Sequence, residues 1–141
     1  MESEKKRILI VDDEEDLTWS ISRKLKNQSY LEVLCANSGQ SALELLAQYN
    51  FDLLVTDLRM PGISGIKLLS EVKSRYPRIQ VIIMTAYGSA DIKSIIEKWD
   101  QTGYIEKPFE INDLRKLIYA CLYHDIDGEN RDTNFSRAGN Q

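Results

Sequence analysis

The chain has 141 residues, 43% hydrophobic and 28% charged, which predicts one globular domain with a core of its own. Its net charge is −4 with lysine and arginine spread along the chain, so we expect no direct nucleic-acid binding, which needs clustered basic residues. No apolar run approaches the ~20 residues that span a bilayer and no apolar signal segment opens the chain, so we expect no membrane association.

Short apolar runs alternate with stretches in which apolar residues recur every three or four positions. In chain order, the apolar runs are 8–11, 32–35, 53–55, 81–84 and 104–105. Their nearly unbroken hydrophobicity is typical of strands that are covered on both faces, as in a parallel sheet.

The stretches after these runs carry the periodicity of amphipathic helices. In chain order, their apolar stripes are Leu17, Ile21 and Leu25; Ala42, Leu43, Leu46 and Ala47; Ile66, Leu69 and Val72 with Lys73 as a polar flank; Ile92, Ile95, Ile96 and Trp99; and Leu114, Leu117, Ile118, Cys121 and Leu122. Helix caps are expected near Ser38-Gly39, Ser64-Gly65, Gly88-Ser89 and Asn112-Asp113. Five strands alternating with five helices predict a single doubly wound α/β domain with right-handed crossovers.

Polar residues dominate the C-terminal end of the chain. Residues 124–141 contain too few apolar side chains to extend a core, which predicts a flexible tail or linker stub after a domain spanning 5–123. The two cysteines, Cys35 and Cys121, lie in apolar segments without the spacing of a metal site. We expect them to be reduced, buried thiols of a cytoplasmic protein.

Acidic, hydroxyl and lysine side chains stand where the predicted strands end. In chain order, they are Asp12, Asp13, Asp57, Thr85 and Lys107. Doubly wound sheets bind ligands beyond the carboxyl ends of their strands. Three carboxylates in one cleft would raise one another's pKa unless a cation intervened, and hard oxygen ligands suit Mg²⁺.

The same edge could stabilise a phosphoryl group. Lys107 can neutralise phosphate charge and Thr85 can donate a hydroxyl hydrogen bond, which would let a carboxylate attack phosphorus. The simpler explanation for acids after a strand is favourable charge at a helix N-terminus. That explanation fits Glu15 and Asp16, but it fits the three strand-end aspartates together poorly.

Four motifs together resemble the receiver domains of two-component response regulators. They are Ile-Leu-Ile-Val-Asp-Asp-Glu at 8–14, Asp-Leu-Arg-Met-Pro-Gly-Ile-Ser-Gly at 57–65, Met-Thr-Ala-Tyr-Gly at 84–88 and Tyr-Ile-Glu-Lys-Pro-Phe at 104–109. The resemblance covers roughly residues 5–123 and implies a flavodoxin-like sheet in the order 2-1-3-4-5. The residues of these motifs are most similar to those of the nitrogen-regulatory, NtrC-like class, which acts on enhancer-dependent transcription.

The resemblance implies a role for each residue of the acidic edge. Asp57 would accept a phosphoryl group from the phosphohistidine of a sensor histidine kinase, and Lys107 would pair with that group. Mg²⁺, or Mn²⁺ in its place, would be held by Asp13, Asp57 and the backbone carbonyl of Arg59. Asp12 would act on the metal largely through a bound water.

The resemblance also implies a switch. Thr85 would be the switch hydroxyl, Tyr104 the aromatic that turns inward as Thr85 moves, and Ala86 the small residue that leaves the acceptor accessible. The altered surface would lie around residues 92–116 and bind an output domain, a partner protein or a second phosphorylated copy. The bond between Lys107 and Pro108 is expected to be cis.

One stretch departs from the family pattern, and several functions compete. Asp100-Gln101-Thr102-Gly103 stands where the family usually carries a Gly-Ala pair. Within the family, a free-standing phosphorelay receiver competes with the input domain of a transcription activator; in either case we expect a switch and not an enzyme. A phosphatase with an aspartate nucleophile would need an acid where Arg59 stands, and a flavin-binding module would be repelled by the acids at 12–16.

Overall fold

The five predicted apolar runs form one parallel sheet. The computed structural model describes residues 5–86 and 103–123. Its strands are β1 (Lys6–Val11), β2 (Leu31–Ala36), β3 (Leu53–Asp57), β4 (Gln80–Ala86) and β5 (Gly103–Lys107). They pair in the order β2-β1-β3-β4-β5, every pair parallel, which confirms both the predicted class and the strand order.

Four helices connect or follow these strands within the described residues. They are α1 (Glu15–Leu25), α2 (Gly39–Gln48), α3 (Gly65–Arg75) and α4 (Ile111–Tyr123). The helix predicted at 92–99, the cap at Gly88-Ser89, the departure at 100–102 and the tail at 124–141 lie outside the described residues. None of the described helices is long and apolar enough to cross a membrane.

Serine side chains cap two of the helices as predicted. The Ser38 hydroxyl accepts the Ser41 N–H at 3.1 Å, and the Ser64 hydroxyl accepts the Lys67 N–H at 3.2 Å. Such caps satisfy N–H groups that the first helical turn leaves unpaired. Asn112-Asp113 lies in the first turn of α4, next to the helix start at Ile111.

Two apolar layers cover the sheet, one on each face. Ile8 and Val55 face α1 and α4, whereas Leu9 and Ile83 face α2 and α3. Successive side chains of a strand point to opposite faces, so continuous apolar strands need both layers. This double coverage leaves the strand ends as the places where polar side chains collect.

The helical stripes are confirmed most fully in α4. All five of its predicted stripe residues are buried. In α3 the buried face runs through Gly65, Leu68, Leu69 and Val72, whereas Ile66 is 42% exposed. Adjacent helical positions differ by about 100°, so a stripe placed one residue off turns an apolar side chain to solvent.

The two cysteines are free thiols in different environments. Burial in α4 raises the pKa of Cys121 to about 12. Cys35 on β2 is only half-buried. The predicted burial is therefore confirmed for Cys121 alone.

Candidate functional site

Strand register gathers the predicted site residues at one edge of the sheet. Val11 pairs with Thr56, so Asp12 lies abreast of Asp57 at the end of β3. Across the other side of β3, Asp57 pairs with Met84, which precedes Thr85. In a parallel sheet all carboxyl ends share an edge, and this is where doubly wound folds bind ligands.

Three carboxylates converge at this edge. One oxygen from each of Asp12, Asp13 and Asp57 lies within 4.8 Å of the others. Asp12 and Asp57 are buried and Asp13 is exposed. Hard carboxylate oxygens with one side open to water fit a divalent cation such as Mg²⁺, which keeps several of its waters. The group could therefore hold a metal ion.

Lys107 reaches into this cluster from the end of β5. Its Nζ lies 2.7 Å from Asp12 Oδ2, 3.2 Å from Asp57 Oδ2 and 3.6 Å from Glu14 Oε1. Burial lowers the pKa of Lys107, but the hydrogen bond to Asp12 and the charges of Asp57 and Asp12 outweigh burial and raise that pKa above its usual value. The ammonium is therefore a permanent positive charge beside both buried carboxylates at neutral pH.

Asp57 remains an unfavourable place for negative charge. Burial raises the pKa of its carboxyl above the usual value, and the charge of Asp12 adds to the effect, while Lys107 and the Arg59 N–H oppose it. The Arg59 N–H donates to Asp57 Oδ1 at 3.4 Å. A further cation at this edge would offset the remaining cost.

A close backbone approach that only glycine permits fixes the backbone of Asp57. A Cβ atom at Gly65, the first residue of α3, would collide with the Asp57 carbonyl oxygen and the Leu58 Cα. The Gly65 N–H donates to the Leu58 carbonyl at 2.9 Å. The start of α3 is thus packed directly against the end of β3, which holds the Asp57 backbone in place.

Thr85 and Tyr104 lie on one face of the sheet. Tyr104 pairs with Ile83 across β4 and β5, and Thr85 is two residues further along β4, so alternation puts its side chain on the Ile83 face. Thr85 is 2% exposed, and Tyr104 is 9% exposed and belongs to the apolar layer next to α2 and α3. Tyr104 is therefore a buried residue of this layer.

An open cavity of about 400 Å³ adjoins Lys107. Its lining is mostly apolar and consists of Glu14, Leu17, Ala86, Lys107, Pro108 and Phe109. Ala86 pairs with Lys107 across β4 and β5. The bond between Lys107 and Pro108 is cis, as predicted.

Sequence reasoning missed one polar residue at this edge. Asn37 follows β2 directly, and its side-chain amide donates to the Asp12 carbonyl at 2.8 Å. Ligands of doubly wound sheets bind beyond the carboxyl ends of the strands, and this applies to the end of β2 as well as to the other strands. A single asparagine after a strand is also typical of a turn, so the sequence gives no signal that distinguishes this contact.

Comparison with known proteins decides the family. The profile of the response regulator receiver domain family matches residues 8–119, most of the chain. The chain belongs to the response regulator receiver domain family. It is thus a receiver domain of two-component signal transduction, and this assignment is favoured over a phosphatase or a flavin-binding module.

Two regulators are among the proteins similar to this receiver domain. Regulatory protein AtoC of Escherichia coli (strain K12) is 38% identical over 118 residues, which are 82% of this chain and 25% of AtoC. The DNA-binding transcriptional regulator NtrC of the same strain is 33% identical over 117 residues, 83% of this chain and 25% of NtrC. The receiver domain therefore spans about a quarter of the length of these curated relatives.

Solved structures agree with the fold of this receiver domain. The crystal structure of a response regulator receiver domain protein from Clostridium thermocellum superposes with a TM-score of 0.75 at 30% identity. The alignment covers 86% of this chain and 97% of that chain. The likeness to AtoC and NtrC confirms the predicted resemblance to regulators of transcription.

Proposed function

We propose that this receiver domain accepts a phosphoryl group on Asp57 from the phosphohistidine of a sensor histidine kinase. The observation that carries the proposal is the position of Lys107, whose ammonium contacts both Asp12 and Asp57 where three carboxylates meet. A fixed cation next to a carboxylate nucleophile is what phosphoryl transfer requires, because its catalysis is mainly positioning and charge stabilisation.

Each side chain has its own role in the proposed phosphoryl transfer. An Asp57 carboxylate oxygen forms the new P–O bond while the P–N bond to the kinase imidazole breaks. Lys107 neutralises charge on the phosphoryl oxygens, and Thr85 donates its hydroxyl to one of them. The cavity lined by Ala86 and Phe109 adjoins Lys107, and on this side the donor would approach the site.

Mg²⁺, or Mn²⁺ in its place, would be held by Asp13, Asp57 and the Arg59 backbone carbonyl. When bound, the cation supplies neutralising charge for the phosphoryl oxygens. Asp12 is a poorer direct ligand than Asp57 because its hydrogen bonds are shorter. Its Oδ1 accepts the Glu14 N–H at 2.9 Å and its Oδ2 accepts Lys107 at 2.7 Å, whereas the corresponding distances at Asp57 are 3.4 Å from the Arg59 N–H and 3.2 Å from Lys107. Its occupied oxygens support a contact through water, whereas Asp13 is exposed and open.

The proposed output is a change of protein contacts. We propose a switch in the cytoplasm, without turnover of a separate substrate, whose surface around 92–116 binds an output domain, a partner protein or a second phosphorylated copy. Because the relatives AtoC and NtrC are regulators of which the chain spans a quarter, the input domain of a transcription activator is favoured over a free-standing phosphorelay receiver. We propose a domain spanning 5–123 and a linker at 124–141.

Labelling with a small phosphodonor tests the acceptor chemistry. With acetyl phosphate and Mg²⁺, the intact mass should increase by one phosphoryl group, and EDTA should block the increase because the crowded carboxylates and phosphate then lack a neutralising cation. Full labelling at the same rate in EDTA would contradict the proposed use of a metal.

Two acidic variants separate a specific metal site from diffuse negative charge. Asp13→Ala should weaken Mg²⁺ binding by about tenfold or more, because a direct carboxylate ligand is lost. Asp16→Ala removes the same charge from an exposed position in the first turn of α1 and should leave the affinity unchanged. Mg²⁺ titration followed by amide chemical shifts measures both, and equal losses would show that the ligand assignment is wrong.

A further inference from the structure

The loop that carries Asp12 and Asp13 is tied to the end of β2. The Asp12 N–H donates to the Ala36 carbonyl at 3.2 Å. On the other side of the same residue, the Asn37 side-chain amide donates to the Asp12 carbonyl at 2.8 Å. Both polar backbone groups of Asp12 are therefore hydrogen-bonded, its N–H to the backbone of β2 and its carbonyl to the side chain of Asn37.

The bond from Asn37 fixes more than Asp12. The carbonyl of Asp12 and the amide nitrogen of Asp13 belong to one planar peptide unit. A donor that holds this carbonyl sets the orientation of the plane, and with it the direction in which the Asp13 side chain leaves the backbone. The Asp13 side chain is exposed, so the orientation of its backbone has a large share in where its carboxylate lies.

Asn37 is in turn supported by α1. Its amide nitrogen donates a second hydrogen bond to the Thr18 hydroxyl at 2.9 Å, and that hydroxyl donates to the Glu15 carbonyl at 3.0 Å. Thr18 is 3% exposed. The chain of donors runs in one direction and uses both amide hydrogens of Asn37, so a side chain without two donors cannot replace it.

We propose that Asn37 is a positioning residue that orients the Asp12–Asp13 peptide for cation binding, with Thr18 supporting Asn37. The inference rests on the proposed function for its biological meaning, but it concerns the binding of Mg²⁺ alone. Groups that orient a metal ligand without touching the metal commonly influence affinity by about 10- to 100-fold.

Mg²⁺ titration of the full chain, followed by amide chemical shifts of residues 12–14, is the first test. Asn37→Ala should raise the dissociation constant about tenfold. Thr18→Val keeps the bond from Asn37 to Asp12 and should have a smaller effect, and the double variant should bind no more weakly than Asn37→Ala because both act on one element. Asn50→Ala, an exposed asparagine at the opposite end of the sheet, is the matched control and should match wild type.

Two further measurements separate positioning from general damage. In the metal-free protein, amide hydrogen exchange of Asp13 and Glu14 should quicken in Asn37→Ala, while exchange in β3 stays as in wild type. At low Mg²⁺, Asn37→Ala should be labelled by acetyl phosphate more slowly than wild type. At saturating Mg²⁺ its labelling rate should return to the wild-type rate. A residue that contacts the phosphoryl group would not be rescued by excess metal.

The outcomes are distinct from those of the proposed function. If Asn37→Ala binds Mg²⁺ as tightly as Asn50→Ala and its exchange at Asp13 is unchanged, the inference is overturned whether or not Asp57 is labelled. If wild type takes up no phosphoryl group, the proposed function fails, while the Mg²⁺ titration still decides the role of Asn37. Should Asn37→Ala not fold, Thr18→Val decides alone: weaker Mg²⁺ binding supports the inference and unchanged binding overturns it.

Discussion

Asp57→Asn is expected to take up no phosphoryl group from acetyl phosphate under conditions that label the wild-type protein fully. The amide oxygen is uncharged and a poor nucleophile, while Asp12, Asp13 and Lys107 remain in place. Intact-mass spectra measure the loss directly. Asp16→Asn removes one negative charge from an exposed position near the same edge and should label like wild type.

The stability of Asp57→Asn tests whether its fold is intact. Burial raises the pKa of the Asp57 carboxyl, with Asp12 adding to the effect and Lys107 opposing it. A raised pKa in the folded state means that the ionised carboxylate costs stability at neutral pH, and this cost disappears on protonation or on replacement by a neutral amide. Metal-free Asp57→Asn should therefore unfold in urea no earlier than metal-free wild type. Persistent full labelling of this stable variant would show that the acceptor is another residue.

The acidic edge could be predicted from the sequence because of strand topology. Once the runs ending near Asp12, Asp57 and Thr85 are identified as parallel strands, their carboxyl ends must meet. Only the order of the strands decides which end residues are neighbours. That order came from the resemblance to receiver domains, and the pairing of β1 and β4 with β3 confirms it.

Details that depend on side-chain hydrogen bonds could not be predicted. Nothing in the sequence says that both oxygens of Asp12 are occupied, since one donor, Lys107, is 95 positions away. The role of Asn37 depends likewise on the meeting of β2 with the loop after β1. The prediction of buried helix faces is incomplete for a similar reason, as Ile66 shows. Periodicity identifies an apolar stripe, but packing against the sheet decides which of the apolar residues are buried.

The switch should depend on one hydroxyl. Phosphorylation adds about −1.5 to −2 charges at Asp57, and the new oxygens can be reached by Lys107 and by Thr85 at the end of the neighbouring strand. Contacts that exist only in the phosphorylated state bias an existing equilibrium between two conformations. Thr85 and Tyr104 are both buried and their side chains share one face of the sheet, so we expect a movement of the first to change the space open to the second.

The expected effect of Thr85→Ala on the switch follows from the strength of the hydrogen bond that the Thr85 hydroxyl donates to the phosphoryl group. A hydrogen bond to a charged group contributes about 1.5–3 kcal/mol. Losing it should move the two-state equilibrium back by about 10- to 100-fold, since every ~1.4 kcal/mol is a factor of ten. A complete switch needs a difference of about 5.5 kcal/mol between the two states, so this one loss removes a substantial share of it. Phosphorylated Thr85→Ala should therefore populate the active state poorly while still accepting the phosphoryl group.

Amide chemical shifts measure this response in wild type, Thr85→Ala and Thr85→Ser. Wild-type phosphorylation should shift the amides of β5 and of the first turns of α4, around Tyr104 and Lys116. Thr85→Ala should show the shifts of the acidic edge, because Asp57 is still labelled, but only a small part of those in β5 and α4. Thr85→Ser keeps the hydroxyl and should restore most of the response. If Thr85→Ala and wild type shift alike across β5 and α4, the signal leaves Asp57 through Lys107 and the β5 backbone instead, and Thr85 is not the coupling residue.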